Sequence, residues 1–208
     1  MGKILFINGS PNENGCVSTA MDEVIGVLRD SGIETEKLWL GKKAMPDCMA
    51  CMQCQQKGRC VIEDQVNEVA AQIDDIDGIV VGSPVYYGGP NGRITSFLDR
   101  LFFSVPDVKF NGKLGASIVS CRRGGATAAF ERLNKYFLIE NMHVVGSQYW
   151  NQVHGGSAED VKKDAEGLQT MRTLGRNIAW LLKAIENGKK DGIDIPVHEA
   201  KTFTNFIR

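Results

Sequence analysis

Short apolar runs alternate with longer segments of helical periodicity along this chain of 208 residues. Residues 4–7 are consecutive apolar residues followed by a polar turn, a pattern that predicts a buried strand. The next segment places Met21, Val24 and Leu28 at helical spacing, which predicts an amphipathic helix. Because strands that alternate with helices favour parallel pairing through right-handed crossovers, the pattern predicts an α/β fold with a doubly wound parallel sheet.

The complete pattern predicts strands and helices in strict alternation, followed by a tail. The predicted strands cover residues 3–8, 33–40, 78–82, 114–120 and 142–149. The predicted helices cover residues 18–29, about 66–73, about 94–101, about 130–137, and 157–186. The apolar tail from residue 187 to 208, which includes Phe203, Phe206 and Ile207, is expected to dock on its own core or on a neighbouring subunit.

Composition and charge narrow the class of protein. The chain is 43% hydrophobic and 24% charged, values typical of a globular rather than a disordered protein. Its 24 basic and 25 acidic residues give a net charge of −1, so neither nucleic acid nor an anionic membrane is an expected partner. Since no apolar run could span a bilayer and the first is too short for a signal peptide, we expect a cytoplasmic protein.

A doubly wound sheet binds its ligands at the carboxyl ends of its strands. Segments rich in glycine, serine, cysteine or arginine follow the predicted strands. We therefore expect four segments to converge at one edge of the sheet: 9–19, 48–60, 83–90 and 120–125.

The first of these segments is typical of an anion site. Hydroxyls and free backbone N–H groups between a strand and a helix suit a phosphate. Pro11 interrupts the dinucleotide-binding fingerprint, and no Gly-Lys-Ser/Thr follows Gly15, so neither that fingerprint nor a Walker loop is present. The alternative interpretation is a plain turn over residues 9–11, with Ser18 capping the helix.

Four of the six cysteines lie between residues 48 and 60, in the pattern C-x2-C-x2-C-x5-C. Four thiolates from one compact loop suit a [4Fe–4S] cluster, whose iron atoms need ligands at tetrahedral corners. Zinc also accepts four cysteines, and free thiols or a disulfide are further alternatives. A reducing cytosol favours metal or redox chemistry over disulfides.

Two motifs resemble those of the flavodoxin-like FMN reductases. They are Asn8-Gly9-Ser10-Pro11 with Ser18-Thr19, and residues 83–89 (SPVYYGG) running to 97–100 (FLDR). The resemblance covers residues 3 to about 186, and the cysteine run resembles that of the iron–sulfur flavoprotein branch. It implies a flavodoxin-like FMN-binding domain over 1–186, with five parallel strands in the order 2-1-3-4-5 and a cysteine-rich insertion, 41–64, after strand 2.

The resemblance also implies which residues bind FMN. The first loop would hold the phosphate, the loop after strand 3 would line the isoalloxazine ring, and the loop after strand 4 would approach its pyrimidine side. Arg122 and Arg123 could stabilise negative charge on the reduced ring. Cys16 borders the phosphate loop, or is simply a small buried residue. The implied cofactor-binding residues are Ser10, Asn12, Cys16, Ser18, Thr19, Pro84, Val85, Tyr86, Tyr87, Gly88, Ser120, Arg122, Arg123 and Gly124.

Cys48, Cys51, Cys54 and Cys60 would hold the cluster. In the resembling family the cysteine segment faces the flavin of a neighbouring subunit, which implies a homodimer or homotetramer. Some relatives keep similar cysteines without a cluster, so the alternatives of thiols, a disulfide or zinc stay open here.

Smaller features concern the edges of the site. His154, just after the last predicted strand, could donate a proton to the flavin or substrate, or be a hydrogen-bonded loop histidine. Asp99 and Arg100 are expected to form a structural ion pair with each other. His143 and His198 lack companions at ligand spacing and are assigned no role.

The expected function is therefore an FMN-dependent oxidoreductase, with flavin rather than side-chain chemistry at its centre. It would exchange electrons with NAD(P)H or a ferredoxin-type donor and with an unidentified acceptor. The alternatives are a cluster-free NAD(P)H:FMN or quinone reductase, and a non-catalytic electron carrier. Net charge −1 disfavours the carrier, whose docking face is usually acidic.

Overall fold

A parallel sheet with helices on both faces forms the centre of the molecule. The structure is a computed structural model that describes residues 2–197 and 199–205. Its strands are β1 (Lys3–Asn8), β2 (Glu34–Trp39), β3 (Gly78–Tyr86), β4 (Gly89–Pro90), β5 (Leu114–Cys121), β6 (His143–Val144) and β7 (Gln152–His154).

The helices occupy the connections between these strands. Single 3-10 turns lie at Ile73–Asp75 and Asp107–Lys109. The α-helices are α1 (Cys16–Asp30), α2 (Gln53–Lys57), α3 (Gln65–Ala71), α4 (Gly92–Ser104), α5 (Ala126–Ile139), α6 (Ala158–Val161) and α7 (Ala165–Lys190).

The sheet has seven strands: five follow the path β2-β1-β3-β5-β6, β4 pairs with β3, and β7 pairs with β5. The prediction of five strands in the order 2-1-3-4-5 is therefore wrong as stated. β4 takes the fourth place in the chain but pairs only with the end of β3, antiparallel to it. All other pairings are parallel among the described residues. The α/β class and the doubly wound arrangement are as predicted.

The last strand also differs from the prediction over 142–149. Only His143–Val144 and Gln152–His154 form strands with β5, and the backbone over 146–150 leaves the sheet. Asn151 is fully buried at this break, and its backbone carbonyl accepts from the Val119 N–H at 3.0 Å. The predicted long helix over 157–186 is likewise two helices, because the chain turns at 162–164 before α7 begins.

Alternate residues of the strands build two cores. Leu5 and Ile7 of β1 pack under α3, α4 and α5, whereas Ile4 and Phe6 pack under α1 and α7. Burial of each such side chain stabilises the fold by about 1.5–3 kcal/mol. A sheet covered on both faces gives the loops at its carboxyl edge a rigid base.

The tail lies near the amino edge of the sheet. Ile195 lies against Gly112, where an added Cβ would come within 2.6 Å of its side chain. Lys201 pairs with Asp107 at 2.5 Å. Phe203 is exposed. Phe206, Ile207 and His198 lie outside the described residues, and docking of the whole tail stays a prediction.

Between residues 2 and 205, apart from residue 198, no helix has both the length and the apolar character to cross a membrane.

Candidate functional site

Three of the four predicted segments meet at the carboxyl edge of the sheet. The Gly9 N–H donates to the Gly82 carbonyl at 2.9 Å, which joins the loop after β1 to the end of β3. A Cβ on Gly125, whose φ is +87°, would lie 2.8 Å from the Gly88 Cα. The loops after β1, β3 and β5 therefore form one continuous surface.

The loop after β1 is shaped by its own polar side chains. The Asn8 carboxamide oxygen accepts from the Ser10 N–H at 2.9 Å, and the Ser10 hydroxyl accepts from the Asn12 N–H at 3.1 Å. The Asn8 amide also donates to the Glu13 carbonyl at 3.2 Å. Because these bonds close within the loop, its curvature does not depend on a ligand.

α1 begins next to this loop with its first-turn N–H groups available to an anion. Gly15 precedes the helix, no side chain caps it, and its first turn contains no acidic residue. Helix N-termini of this kind bind phosphate through backbone N–H groups and the helix dipole. The alternative interpretation of Ser18 as the cap is wrong, since Ser18 lies inside the helix.

The hydroxyls predicted to bind phosphate are engaged elsewhere. Ser18 accepts from Lys37 Nζ at 2.9 Å and donates to Asp22 at 3.4 Å. Thr19 donates to the Gly15 carbonyl at 3.1 Å. The available phosphate donors are therefore the backbone N–H groups at the start of α1 and the Ser10 hydroxyl, which accepts from Asn12 and keeps its own hydrogen.

Cys16 lies at the start of α1. Its Sγ is 3.7 Å from the Gly155 carbonyl, so it links α1 to the segment after β7.

The predicted isoalloxazine loop is a tight hairpin between β3 and β4. Tyr87 and Gly88 form its turn with φ of +50° and +79°, the values that two-residue hairpins require. Tyr86 and Tyr87 are exposed, while Pro84 and Val85 are half-buried. The hairpin offers an aromatic surface beside the first loop, suited to a flat ring.

The loop after β5 supplies the positive charge at this edge. Ser120 is buried at the strand end, whereas Arg122, Arg123 and Gly124 are exposed. α5 follows without a side-chain cap or an acidic residue in its first turn. The edge therefore presents two uncapped helix N-termini and two arginines.

His154 lies at the end of β7, opposite Cys121 in the register. Its backbone N–H donates to Asp164 at 2.7 Å, and its Nδ1 is 3.9 Å from the same carboxylate. Asp164 also caps α7 through the Gly167 N–H at 2.9 Å. These contacts fix the position of His154 by hydrogen bonding; a proton-donating role stays a prediction.

Two residues that the sequence analysis missed hold the first loop in place. Trp39 at the end of β2 donates its indole N–H to the Ser10 carbonyl at 2.8 Å. Asn91 donates to the Gly9 carbonyl at 2.6 Å and caps α4 by accepting from the Ile94 N–H at 3.2 Å. An Asn before an apolar helix signals a cap, but the long-range bonds leave no local trace.

The cysteine segment does not converge with the other three, contrary to expectation. α4 begins at the carboxyl edge, but the cysteines face its second half, at Arg100, Phe103 and Ser104. At 1.5 Å per residue this is about 12–18 Å along the helix from its start. The cysteine pocket is therefore separate from the chain's own flavin-type edge.

Cys48, Cys51, Cys54 and Cys60 all line one pocket of about 20 Å³. None of them forms a disulfide. Burial raises the pKa of Cys54, and the nearby thiols of Cys51 and Cys60 raise it further. Within the described part of the chain, no three His, Cys, Asp or Glu side chains are gathered into a group that could hold a metal ion.

Arg100 packs against this pocket as a fully buried cation, 1% exposed. It binds Asp64 through two hydrogen bonds of 2.6 and 2.9 Å. The expected pair with Asp99 is therefore wrong: Asp99 instead accepts from the Tyr136 hydroxyl and lies 4.0 Å from Arg132. Because successive residues of a helix point in different directions, Arg100 faces the start of α3 and Asp99 faces α5.

Comparison with known proteins identifies relatives along most of the chain. A family model described as NADPH-dependent FMN reductase matches residues 2–156. An iron–sulfur flavoprotein of Methanocaldococcus jannaschii is 32% identical over 191 residues, covering 88% of this chain and 99% of the relative. One from Methanosarcina thermophila is 26% identical, covering 90% and 98%.

A solved structure described as a flavodoxin from the domain Archaea resembles the fold with a TM-score of 0.59, at 16% identity over 87% of this chain and 99% of that one. This likeness confirms the flavodoxin-like fold. The family match extends from β1 past the last strand of the sheet, and it includes every loop of the carboxyl edge. The chain belongs to the NADPH-dependent FMN reductase family and is an FMN-dependent oxidoreductase.

Proposed function

We propose that this oxidoreductase passes electrons between NAD(P)H or a ferredoxin-type donor and an acceptor through FMN and a [4Fe–4S] cluster. The observation that supports the cluster is the pocket that all four clustered cysteines line. The names of the two iron–sulfur flavoprotein relatives point the same way.

The carboxyl edge suits FMN. The uncapped start of α1 and the Ser10–Asn12 turn would bind the phosphate, and the β3–β4 hairpin would lie against the ring. Arg122 and Arg123 would stabilise negative charge at the pyrimidine side. FMN supplies the capacity to take up a hydride, so the protein's part is to bind, orient and shield the ring.

The donor set of the cysteine pocket suits a thiolate-held cluster. Four free cysteines surround it, no histidine lines it, and Arg100 contributes a buried positive charge. The thiols would have to draw together around the iron atoms, since they are not gathered in a metal-binding geometry as described. A cluster at this place would supply single-electron transfer.

The separation of the two sites supports an oligomer. About 12–18 Å along α4 divides the pocket from the start of the helix. Exposed apolar side chains surround the pocket, among them Met49 at 63%, Met52 and Phe103. A homodimer or homotetramer would cover them and could bring the pocket of one subunit to the flavin of the next.

Anaerobic purification with iron, sulfide and flavin analysis tests this function. We expect one FMN and about four irons and four sulfides per chain. Cys54→Ser should lose the iron, whereas Cys121→Ala, outside the pocket, should keep it. Rapid mixing with NADPH should then bleach the flavin. Wild-type protein with FMN but without iron would contradict the cluster and leave a cluster-free reductase.

The cluster-free NAD(P)H:FMN or quinone reductase is the second candidate. The observation in its favour is that the described side chains form no assembled metal site. It predicts rapid NADPH oxidation by protein that contains FMN alone, and unchanged rates in Cys54→Ser.

A further inference from the structure

The side chain of Arg100 has more hydrogen-bonding capacity than Asp64 uses. A guanidinium offers five N–H donors in a rigid plane. Two of them bind Asp64, and Nη2 also donates to the Ile62 carbonyl at 3.0 Å. Nη1 has further contacts with the Pro46 carbonyl at 3.5 Å and Met45 Sδ at 3.7 Å. The Nε–H faces Cys60 Sγ at 3.4 Å, and Nη2, which already has an acceptor for each of its two hydrogens, lies 3.5 Å from the same sulfur.

These contacts are enforced by the fold around them. Asp64 is the N-cap of α3, accepting from the Val66 N–H at 3.1 Å, so its carboxylate cannot move away from Arg100 without loss of the cap. The side chain of Asn67 in α3 accepts from the Cys60 N–H at 3.0 Å and donates to the Cys60 carbonyl at 2.9 Å. Cys60 is therefore held between α3 and α4 before any metal binds.

The positive charge of Arg100 is matched by the negative charge of Asp64 while Cys60 is a neutral thiol. Arg100 has one carboxylate partner, Asp64, whose side chain is 23% exposed. The pocket itself is lined by one acidic residue among those described, Asp47. A guanidinium remains protonated in proteins, and Arg100 is 1% exposed, so added negative charge on Cys60 would face a desolvated cation.

We infer that Arg100 is a positioning residue for the proposed cluster: it orients the Cys60 sulfur and stabilises the reduced state of the metal centre by donating the Nε–H hydrogen bond to that sulfur. This inference rests on the proposed function. A cluster held by these cysteines would gain one electron from its donor on reduction. Part of the added negative charge would fall on the Cys60 sulfur, which the buried guanidinium faces.

The variant Arg100→Gln tests the inference through the reduction potential of the centre, measured by anaerobic titration with dithionite and mediators. We expect the ratio of reduced to oxidised centre at a fixed potential to fall about tenfold, equivalent to a potential lower by about 59 mV for a one-electron couple. Arg59→Gln is the matched control. It removes the same charge one residue from Cys60, but Arg59 is 61% exposed and pairs with Glu63. Its potential should stay near that of the wild type because water screens exposed charge.

Asp64→Asn provides the opposite change. An amide keeps the acceptor that caps α3 but removes the negative charge beside Arg100, so the potential should rise. If Arg100→Gln fails to hold iron, the reduction potential of Asp64→Asn alone tests the inference: a higher potential than the wild type supports it, and an equal or lower one contradicts it. An unchanged potential in both variants, or a shift in Arg59→Gln as large as in Arg100→Gln, would overturn the inference. Wild-type protein without iron would instead overturn the proposed function.

Discussion

The side-chain amide of Asn91 donates to the backbone carbonyl of Gly9 across 2.6 Å, joining the start of α4 to the loop after β1. The side-chain oxygen of Asn91 caps α4 by accepting from the Ile94 N–H, and its backbone N–H donates to the buried hydroxyl of Ser83 at 2.9 Å. One buried residue therefore connects the phosphate-type loop, the end of β3 and a helix N-terminus. The geometry of the flavin edge should depend on it more than on any exposed side chain.

Asn91→Asp is expected to weaken FMN binding. The carboxylate keeps the acceptor for the Ile94 N–H but loses the donor to Gly9, leaving two oxygens facing each other. The cost of such a buried mismatch is about 1–3 kcal/mol. We expect the Kd for FMN, measured by fluorescence titration of the flavin-free protein, to rise about tenfold.

The control for this change is Asn111→Asp, at the opposite edge of the sheet. Asn111 is also an acceptor, from Asn141 at 2.7 Å, and its substitution keeps that role. FMN affinity equal to the wild type is expected there. A Kd for Asn91→Asp within twofold of the wild type would show that the Gly9 contact does not shape the site.

Gly9→Ala should destabilise the fold, because the new methyl group has no space. Its Cβ would lie 2.7 Å from the Ile94 Cβ and 3.1 Å from the Gly82 carbonyl oxygen. Overpacking of this kind costs about 1–3 kcal/mol. Urea denaturation should show a lower midpoint.

Gly26→Ala is the matched comparison for the same methyl group. Gly26 lies within α1, and its added Cβ would meet no atom within 4 Å beyond its chain neighbours and the backbone of its own helix turn. Alanine favours a helix over glycine by about 0.5–1 kcal/mol, so this variant should be more stable than the wild type. Equal destabilisation by both alanines would contradict the close contact at Gly9.

The iron-free, reduced chain should be alkylated by iodoacetamide in a defined order. Cys48 and Cys51 are exposed and should react first. Cys54 should follow, because burial raises its pKa and lowers its thiolate fraction. Cys121 should react last, since it is buried and its pKa is also raised by burial. Timed peptide mass spectrometry measures each rate.

The pH dependence of this reaction follows from the direction of the pKa shift. A thiol with a raised pKa gains its thiolate over a higher pH range, so the lag of Cys54 should be constant near neutral pH and shrink as the pH rises above about 8.5, the ordinary pKa of a cysteine thiol. In concentrated urea all six cysteines should react together. A Cys54 rate equal to that of Cys48 at neutral pH in the folded protein would be inconsistent with the burial of Cys54.

The parts of the fold that depend on local pattern could be predicted from the sequence. The buried runs of β1 and β3 and the faces of α1 and α4 follow directly from apolar periodicity. The split of the last strand was missed. Gly146, Ser147 and Gln148 interrupt the apolar residues there, but the return of Gln152–His154 to the sheet depends on pairing with β5, which the local pattern does not encode.

The site shows the same division. Glycine and serine in the first loop indicate a phosphate site by composition, but the engagement of Ser18 with Lys37 depends on how β2 pairs with β1. Arg100 offers the clearest case. The adjacent residue Asp99 suggested an ion pair between sequence neighbours, whereas Arg100 pairs with Asp64, which is 36 residues away in the sequence. Partners of buried charges are set by packing between helices, which no local motif encodes.

The packing of Ile195 on Gly112 and the pairing of Lys201 with Asp107 place this part of the tail behind the sheet, at the ends of the strands opposite the ligand-type loops. A molecule that approaches the loops after β1, β3 and β5 would therefore not meet Ile195 or Lys201.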